Sequence, residues 1–372
     1  MEVTDTHSRR VILAPDKFKG SLTAAQVAAA LATGLKRGAP QTQIRQLPVA
    51  DGGDGTVDAF LAAGWERVTL EAPGPTLKPL TTAYAMRGDT AVIELAAVTG
   101  LSKLPGGHLD PLYVSTYGLG VVMAHALERG AREIVLGLGG SASTDGGAGM
   151  LQALGLRILT ADGRELACGG AKLAQAVRVD RTGLHPGLAG AHIVLASDVD
   201  NPLLGPTGAA AVYGPQKGAG PDEVAVLEVA LTHWAELIGT DYAGKPGAGA
   251  AGGTGFGAIA MLGAVARPGI DVVLGLVDFD TQLAGADLVV TGEGSLDAQS
   301  LHGKAPIGVA GAALHAGIPV IAVAGRVQLT PDQVRSAGFS AAYALSDLEP
   351  DPARSMADAA ALLERIGERL AR

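Results

Sequence analysis

Ile134-Val135-Leu136-Gly137-Leu138-Gly139-Gly140-Ser141-Ala142-Ser143-Thr144-Asp145-Gly146-Gly147-Ala148-Gly149-Met150-Leu151-Gln152-Ala153-Leu154 is the stretch on which the fold turns. It begins with an apolar run that reads as a buried strand, and from Ala148 it reads as a helix. Between them lie glycines, hydroxyls and one carboxylate, Asp145. Glycine lets the backbone turn tightly and approach an anion closely, and the first amides of a helix are free to bind negative charge. A plain strand-to-helix turn could use the same residues. What favours the anion reading is that the pattern recurs.

Val11-Ile12-Leu13-Ala14 is a short apolar strand opening into Pro15-Asp16-Lys17-Phe18-Lys19-Gly20-Ser21. A helix over about 23–37 follows, with Ser21 or Thr23 as N-cap and Gly38 and Pro40 ending it. A second strand near 44–49 runs into Asp51-Gly52-Gly53-Asp54-Gly55-Thr56 and a short helix to Gly64. This βαβα opening implies parallel strands with right-handed crossovers. After Pro73-Gly74-Pro75 the rhythm changes, and 80–86 with 90–96 read as an antiparallel hairpin around Arg87-Gly88-Asp89. Helices at about 116–129, 147–154 and 222–238 then alternate with strands at 132–138, 156–160 and 192–197. From Asp287 the βα alternation returns, with strands at about 287–291, 318–323 and 340–344. Helices are expected near 306–315 and 331–337, and a last one over 355–370. The expected fold is α/β with two domains. Residues 1–82 and 285–372 would form a Rossmann-/flavodoxin-like parallel-sheet domain, and 83–284 an inserted mixed α/β domain, with the active site in the cleft between them.

Composition bounds the function. At 372 residues the chain exceeds one ordinary core. Apolar residues make up 48% but aromatics only 3%, so the cores must be packed from Ala, Val, Leu and Ile. The 54 glycines are about twice the usual share and fall in discrete loops. A net charge of −9 with no offsetting basic stretch argues against nucleic acid or an anionic membrane as partner. The single cysteine, Cys168, excludes an intramolecular disulfide and fits a reducing compartment; beside Gly169-Gly170 it reads as a small packing residue. The polar start, Met1-Glu2-Val3-Thr4-Asp5-Thr6-His7-Ser8, is unlike a secretory signal, and the uncharged run 246–266 is too glycine-rich to span a bilayer. A cytoplasmic location is expected.

Six loops follow apolar strands: 16–21, 51–56, 139–147, 198–202, 291–304 and 325–326. In open parallel sheets, ligands bind where such loops meet, outside the carboxyl ends of the strands. Together they hold the cations Lys17, Lys19, Lys304 and Arg326 and the carboxylates Asp16, Asp51, Asp54, Asp145, Asp198, Asp200, Glu293 and Asp297. That mixture suits phosphates with a divalent metal: carboxylates hold Mg²⁺, while lysines and amides neutralise phosphoryl charge. Gly-x-x-x-x-Gly-Lys-Ser/Thr is absent, since both Gly-Lys pairs run into Pro246 or Ala305. Gly247-Ala248-Gly249-Ala250-Ala251-Gly252 matches a dinucleotide pattern but follows Lys245-Pro246, not a strand. No zinc motif occurs. Of the histidines, His302 alone sits inside a glycine loop.

Several of these segments, in order, resemble the glycerate kinase type-1 family. They are Asp16-Lys17-Phe18-Lys19-Gly20-Ser21, Pro48-Val49-Ala50-Asp51-Gly52-Gly53-Asp54-Gly55-Thr56, Gly139-Gly140-Ser141-Ala142, Ser197-Asp198-Val199-Asp200-Asn201-Pro202-Leu203, Gly214-Pro215-Gln216-Lys217-Gly218-Ala219, Pro246-Gly247-Ala248-Gly249-Ala250-Ala251-Gly252-Gly253 and Thr291-Gly292-Glu293-Gly294. The resemblance runs from about residue 11 to 345. It implies a cytoplasmic kinase that moves the γ-phosphoryl of ATP to D-glycerate with Mg²⁺, in glyoxylate or aldarate catabolism, giving 2-phosphoglycerate. It also implies a Rossmann-like domain with an inserted mixed α/β domain. ATP and D-glycerate are thus the expected partners, and a homodimer is compatible with it. Two residues depart from the family pattern: Asp54, where Glu is usual, and Thr144, where Asn is usual. The first keeps the charge but shortens its reach; the second loses an amide.

Kinase chemistry needs a base near the acceptor hydroxyl, a metal site, phosphate neutralisation and a clamp for the glycerate carboxylate. Asp198 is the expected base, with Asp200 supporting it or holding metal; an Asx-type turn would use the same pair. Lys17 is grouped with these catalytic residues, and Lys19, Ser21, Ser141, Asp145 and Asn201 with the substrate. Gly139, Gly140, Lys217, Gly292 and Lys304 are expected on phosphate or nucleotide, and Asp51 and Glu293 on metal. Two other classes stay open: a nicotinamide-dependent oxidoreductase acting on a small hydroxy acid, and a non-catalytic sugar-acid-binding protein.

Overall fold

Most of the apolar runs become strands, and α1 starts where its sequence supplies a cap. The computed structural model describes residues 8–301 and 303–371. Residues 1–7, His302 and Arg372 lie outside it, and with them the readings of His302 and of most of the N-terminal segment. β1 (Arg10–Pro15) leads into α1 (Ala24–Gly38), whose N-cap Thr23 accepts from the Gln26 amide while the Gln26 side chain accepts from the Thr23 amide. β2 (Gln43–Gln46), α2 (Thr56–Ala62), β3 (Glu66–Pro73), β4 (Pro79–Arg87) and β5 (Thr90–Glu94) follow. Next come α3 (Ala96–Thr99), α4 (Tyr117–Glu128), β6 (Glu133–Gly137), α5 (Ala148–Ala153), β7 (Arg157–Leu159), β8 (Arg178–Asp180) and β9 (His192–Ala196). α6 (Ala209–Tyr213), α7 (Pro221–Ile238), α8 (Ala250–Leu262), β10 (Val265–Arg267), α9 (Gly269–Leu276) and α10 (Phe279–Leu283) carry the chain onward. It ends with β11 (Leu288–Leu296), α11 (Ala305–His315), β12 (Val320–Val327), α12 (Pro331–Ser336), β13 (Ala341–Ala344), α13 (Pro352–Ala357) and α14 (Ala359–Leu370).

The chain forms two compact units. One comprises the residues up to Asp51, Asp58–Gly64 and those from Ile270; the other comprises Gly52–Val57 and Trp65–Gly269. The first unit carries a wholly parallel sheet in the order β2-β1-β11-β12-β13. Counted within the unit this is 2-1-3-4-5, the flavodoxin-like doubly wound order, and its reversal falls between β1 and β11. Val11, Leu13, Val290 and Val323 meet Leu31, Leu35, Leu363 and Ile366 in its core. α1 and α14 approach backbone to backbone, since a Cβ on Gly34 would stand 1.9 Å from the Glu364 carbonyl oxygen.

The second unit has a six-stranded mixed sheet, β10-β9-β6-β5-β4-β3, in which the first four strands run parallel and β4 and β3 antiparallel. Ile93, Leu136, Leu195, Leu231, Trp234 and Phe256 lie in its core. The expected β4–β5 hairpin is present, but β3, which the sequence reading passed over, pairs along the whole of β4. Residues 65–82 therefore belong with this sheet, and the division falls after Gly64 and Gly269 rather than at 82 and 284. β3 carries the alternation of a half-buried strand, Arg67-Val68-Thr69-Leu70-Glu71, rather than the continuous apolar run of a doubly covered one. α8 hides because glycine is a poor helix former.

Candidate active site

In the first unit, the chemistry collects at the carboxyl ends of β1 and β11, beside the point where strand order reverses. Asp16 follows β1 and is buried, with its Oδ1 accepting from the Lys17 amide at 2.6 Å. Burial pushes its carboxyl up to about 7; Lys17 pulls it back, and Asp51 and Glu293 push it further. Glu293, within β11, is also raised by burial, with Ser300 and Lys304 opposing and Asp297 and Asp51 adding. Its Oε2 lies 3.6 Å from Lys304 Nζ, while its buried Oε1 has no hydrogen-bond partner.

An orphaned carboxylate oxygen among mutually repelling carboxylates fits a cation. Among the described residues, no group of three or more His, Cys, Asp or Glu side chains is close enough to hold a metal. The set therefore fits the manner in which Mg²⁺ is usually bound, through one or two carboxylates plus substrate phosphate and water, rather than a protein cage. Asp51 and Glu293 are the two carboxylates expected on metal, and both lie near enough to Asp16 to raise it.

Lys19 is exposed and Lys17 half-buried. Two further expectations in this unit change. The Ser21 hydroxyl donates to the Met356 carbonyl at 2.8 Å, so it anchors its loop rather than pointing at substrate. Gly292 is buried inside β11, its carbonyl accepts from the Asp16 amide at 2.8 Å, and a Cβ there would lie 1.8 Å from the Val323 carbonyl oxygen. It serves the closeness of β11 and β12, not a phosphate.

In the second unit, Asp198 and Asp200 are exposed beyond the carboxyl end of β9. The Asp198 Oδ1 accepts from the Gly269 amide at 3.0 Å, which orients the carboxylate. Asn201 is a correction: its Nδ2 donates to the Thr207 carbonyl at 2.8 Å and its Oδ1 accepts from Tyr213 at 2.7 Å, so it holds the loop together. Asp145 is another. It is fully buried, and its oxygens accept from the Thr116 amide at 2.8 Å, the Thr116 hydroxyl at 2.9 Å, Gly147 N at 3.2 Å and Gly149 N at 3.3 Å. Its carboxylate shapes the 139–147 loop from within instead of touching a ligand. Burial raises its pKa against those donors.

Lys217 is likewise inside, donating to the Ser143 carbonyl and, at 3.4 Å, to the Thr144 hydroxyl. Burial drives it down to about 7, with Asp145 opposing. A buried amine bonded to the 139–147 loop is not placed to meet nucleotide phosphate. Ser141 is buried, with its hydroxyl 3.0 Å from that of Ser143. Gly140 is exposed with φ +71°, and Gly139 closes on Gly53, whose Cα would stand 2.7 Å from an added Cβ.

The 247–252 motif follows no strand, and its small residues are taken up in packing. Ala251, Gly252 and Gly253 are left-handed, and a Cβ on Gly252 would stand 2.1 Å from the Ser143 carbonyl oxygen. These small residues pack α8 against the 139–147 loop. A residue the sequence reading missed is Glu94, the last of β5, which accepts amide bonds from Gly55 and Val57. A lone carboxylate ending the apolar run Ala91-Val92-Ile93 was its signal.

A model of the glycerate kinase family matches residues 11–372. The chain belongs to the glycerate kinase family. Relatives include the glycerate kinase of Halalkalibacterium halodurans, 42% identical over 97% of each chain. Another is the glycerate kinase of Bacillus subtilis, 44% identical over 90% of each, and a third is the glycerate 2-kinase of Escherichia coli strain K12, 42% identical over 90% of each. A crystal structure assigned to glycerate kinase 2 of Salmonella typhimurium LT2 superposes with a TM-score of 0.85 at 39% identity, covering 98% of this chain and 97% of that one. As a member of the glycerate kinase family, the protein is a kinase. Among the described residues, no helix is long and apolar enough to cross a membrane.

Proposed function

We propose that the protein transfers the γ-phosphoryl group of ATP to the 2-hydroxyl of D-glycerate, giving ADP and 2-phosphoglycerate, in glyoxylate or aldarate breakdown. The observation that carries this reading is the glycerate kinase match across residues 11–372, and the relative named glycerate 2-kinase supports the 2-position. Asp198 is the proposed base. Exposed at the end of β9 and oriented by the Gly269 amide, it takes the proton of the attacking hydroxyl, with Asp200 beside it. Lys17 and Lys19 offset charge on the transferring phosphoryl and the glycerate carboxylate. Asp51 and Glu293, with Asp16, would hold Mg²⁺, which when bound neutralises charge on the phosphate oxygens. Lys304, beside Glu293, is a further candidate for phosphate. Gly139 and Gly140 offer backbone amides.

The oxidoreductase reading loses its motif to packing, and the relatives named glycerate kinase favour catalysis over binding alone. The test is ADP release from MgATP with and without D-glycerate, followed by phosphorus NMR of the product. Glycerate-dependent ADP with a 2-phosphate ester resonance is expected. A 3-phosphate ester overturns the regiochemistry, and no glycerate dependence overturns the activity.

A further inference from the structure

The Gly52–Val57 segment lies over the carboxyl ends of three parallel strands of its unit. A Cβ on Gly52 would stand 2.6 Å from the Ala196 carbonyl oxygen at the end of β9, and one on Gly137, at the end of β6, 2.6 Å from the Gly52 carbonyl oxygen. At the end of β5 stands Glu94, only 6% exposed. Both of its oxygens accept from the Gly55 amide at 3.1 Å, Oε2 accepts from the Val57 amide at 3.2 Å, and the Asp54 side chain hydrogen-bonds to it. The glycines let the segment close on the sheet, and Glu94 grips its amides.

We propose that Glu94 is a positioning residue for phosphoryl transfer: by gathering the Gly55 and Val57 amides and hydrogen-bonding the Asp54 side chain, it fixes the segment that follows Asp51 in the chain. This rests on the kinase reading above. A turn that only had to be held could use a hydroxyl or an amide, without the cost of burying a carboxylate. A carboxyl here ties the order of the segment to a proton. Burial pushes Glu94 up to about 7, the Val57 and Gly55 amides pull it back, and the Asp54 charge raises it again. Asp54 is the charged group facing it, and Gly55 and Val57 present only backbone. While Glu94 keeps its proton, the two carboxyls can hydrogen-bond. Once Glu94 ionises it is repelled by the Asp54 charge, so the segment loosens as pH rises through neutrality.

Glu94→Gln keeps the shape and one acceptor but cannot titrate. Amide hydrogen exchange in peptides covering 52–57, corrected for its intrinsic rate, should quicken in the wild type from about pH 6 to about pH 8 and stay constant in the variant. The variant's turnover should fall on the order of tenfold or more, with the glycerate KM within about threefold, and the wild type's decline in kcat above neutrality should disappear. Protection with the same pH dependence in both proteins, or turnover within about twofold and an unchanged pH profile, overturns the proposal. If Glu94→Gln does not fold, Asp54→Asn removes the charge that repels ionised Glu94 and must abolish the loosening above neutrality. A wild type without glycerate-dependent ADP release removes the kinase reading alone, and the exchange data still decide whether Glu94 holds the segment.

Discussion

Asp198 and Asp145 both follow a parallel strand, yet one is exposed and the other wholly buried. Their substitutions should therefore fail in opposite ways. Asp198→Asn removes the proposed base from a solvated position, so kcat should drop about 100-fold or more with Tm unchanged; near-normal turnover would remove Asp198 from that role. Asp145→Ala leaves the donors of Thr116, Gly147 and Gly149 buried without an acceptor, so it should cost about 3 kcal/mol or more in stability, read by denaturant unfolding. A loss under about 1 kcal/mol would mean that the loop is held otherwise. Lys217 gives a pH prediction. Its folded pKa, held down to about 7 by burial, lies below its ordinary 10.5, so its contribution is complete above 10.5 and is lost as pH falls to about 7. Lys217→Met should flatten the rise of Tm across that window, and an unaltered slope would show that the amine is not desolvated. No inspection of sequence distinguishes these roles, because Asp145, Lys217 and Asn201 carry the residue types of ligand contacts and differ only in burial and in partners far along the chain.

Regular elements were legible where one periodicity ruled. β1, α1, β6, α7 and β11 fall where apolar runs and caps put them, because an unbroken apolar run has few alternatives to a buried strand. β3 carried its signal too, in the alternation of Arg67 to Glu71, but no continuous apolar run; its pairing with β4 shows only in the sheet. The glycines were legible as loops but not as contacts. Gly292 and Gly252 mark places where another backbone comes too close for any side chain. Gly292→Ala would push a methyl into the Val323 carbonyl and force β11 from β12, so a cost of about 2 kcal/mol or more is expected. Gly303→Ala, with nothing within 4 Å of its added Cβ but φ +92°, should cost only the strain of a left-handed backbone, about 1 kcal/mol. Equal losses for the two would show that space between the strands is not the issue.

At the scale of the molecule, the sequence announced a discontinuous α/β chain with a second unit inserted. It could not give the exact crossings, which depend on strand partners rather than on local pattern. The same holds for the proposed metal site. Asp51 and Glu293 were visible as carboxylates in loops, but Asp16 joins them only because β1 and β11 are neighbours at the reversal of strand order. That arrangement makes a thermodynamic prediction. Without three clustered donors among the described residues, the protein alone should hold Mg²⁺ weakly, and phosphate oxygens must complete the shell. Millimolar Mg²⁺ by itself should therefore move Tm very little, whereas MgATP at about 100 times its Kd should stabilise the fold by about 2.7 kcal/mol. Glu293→Gln removes the charge whose Oε1 has no protein partner, and it should weaken MgATP binding more than the binding of ATP in chelator. If Mg²⁺ alone stabilises as strongly as MgATP, the protein encloses the ion unaided. The three carboxylates would then be a complete site, rather than the protein's half of one.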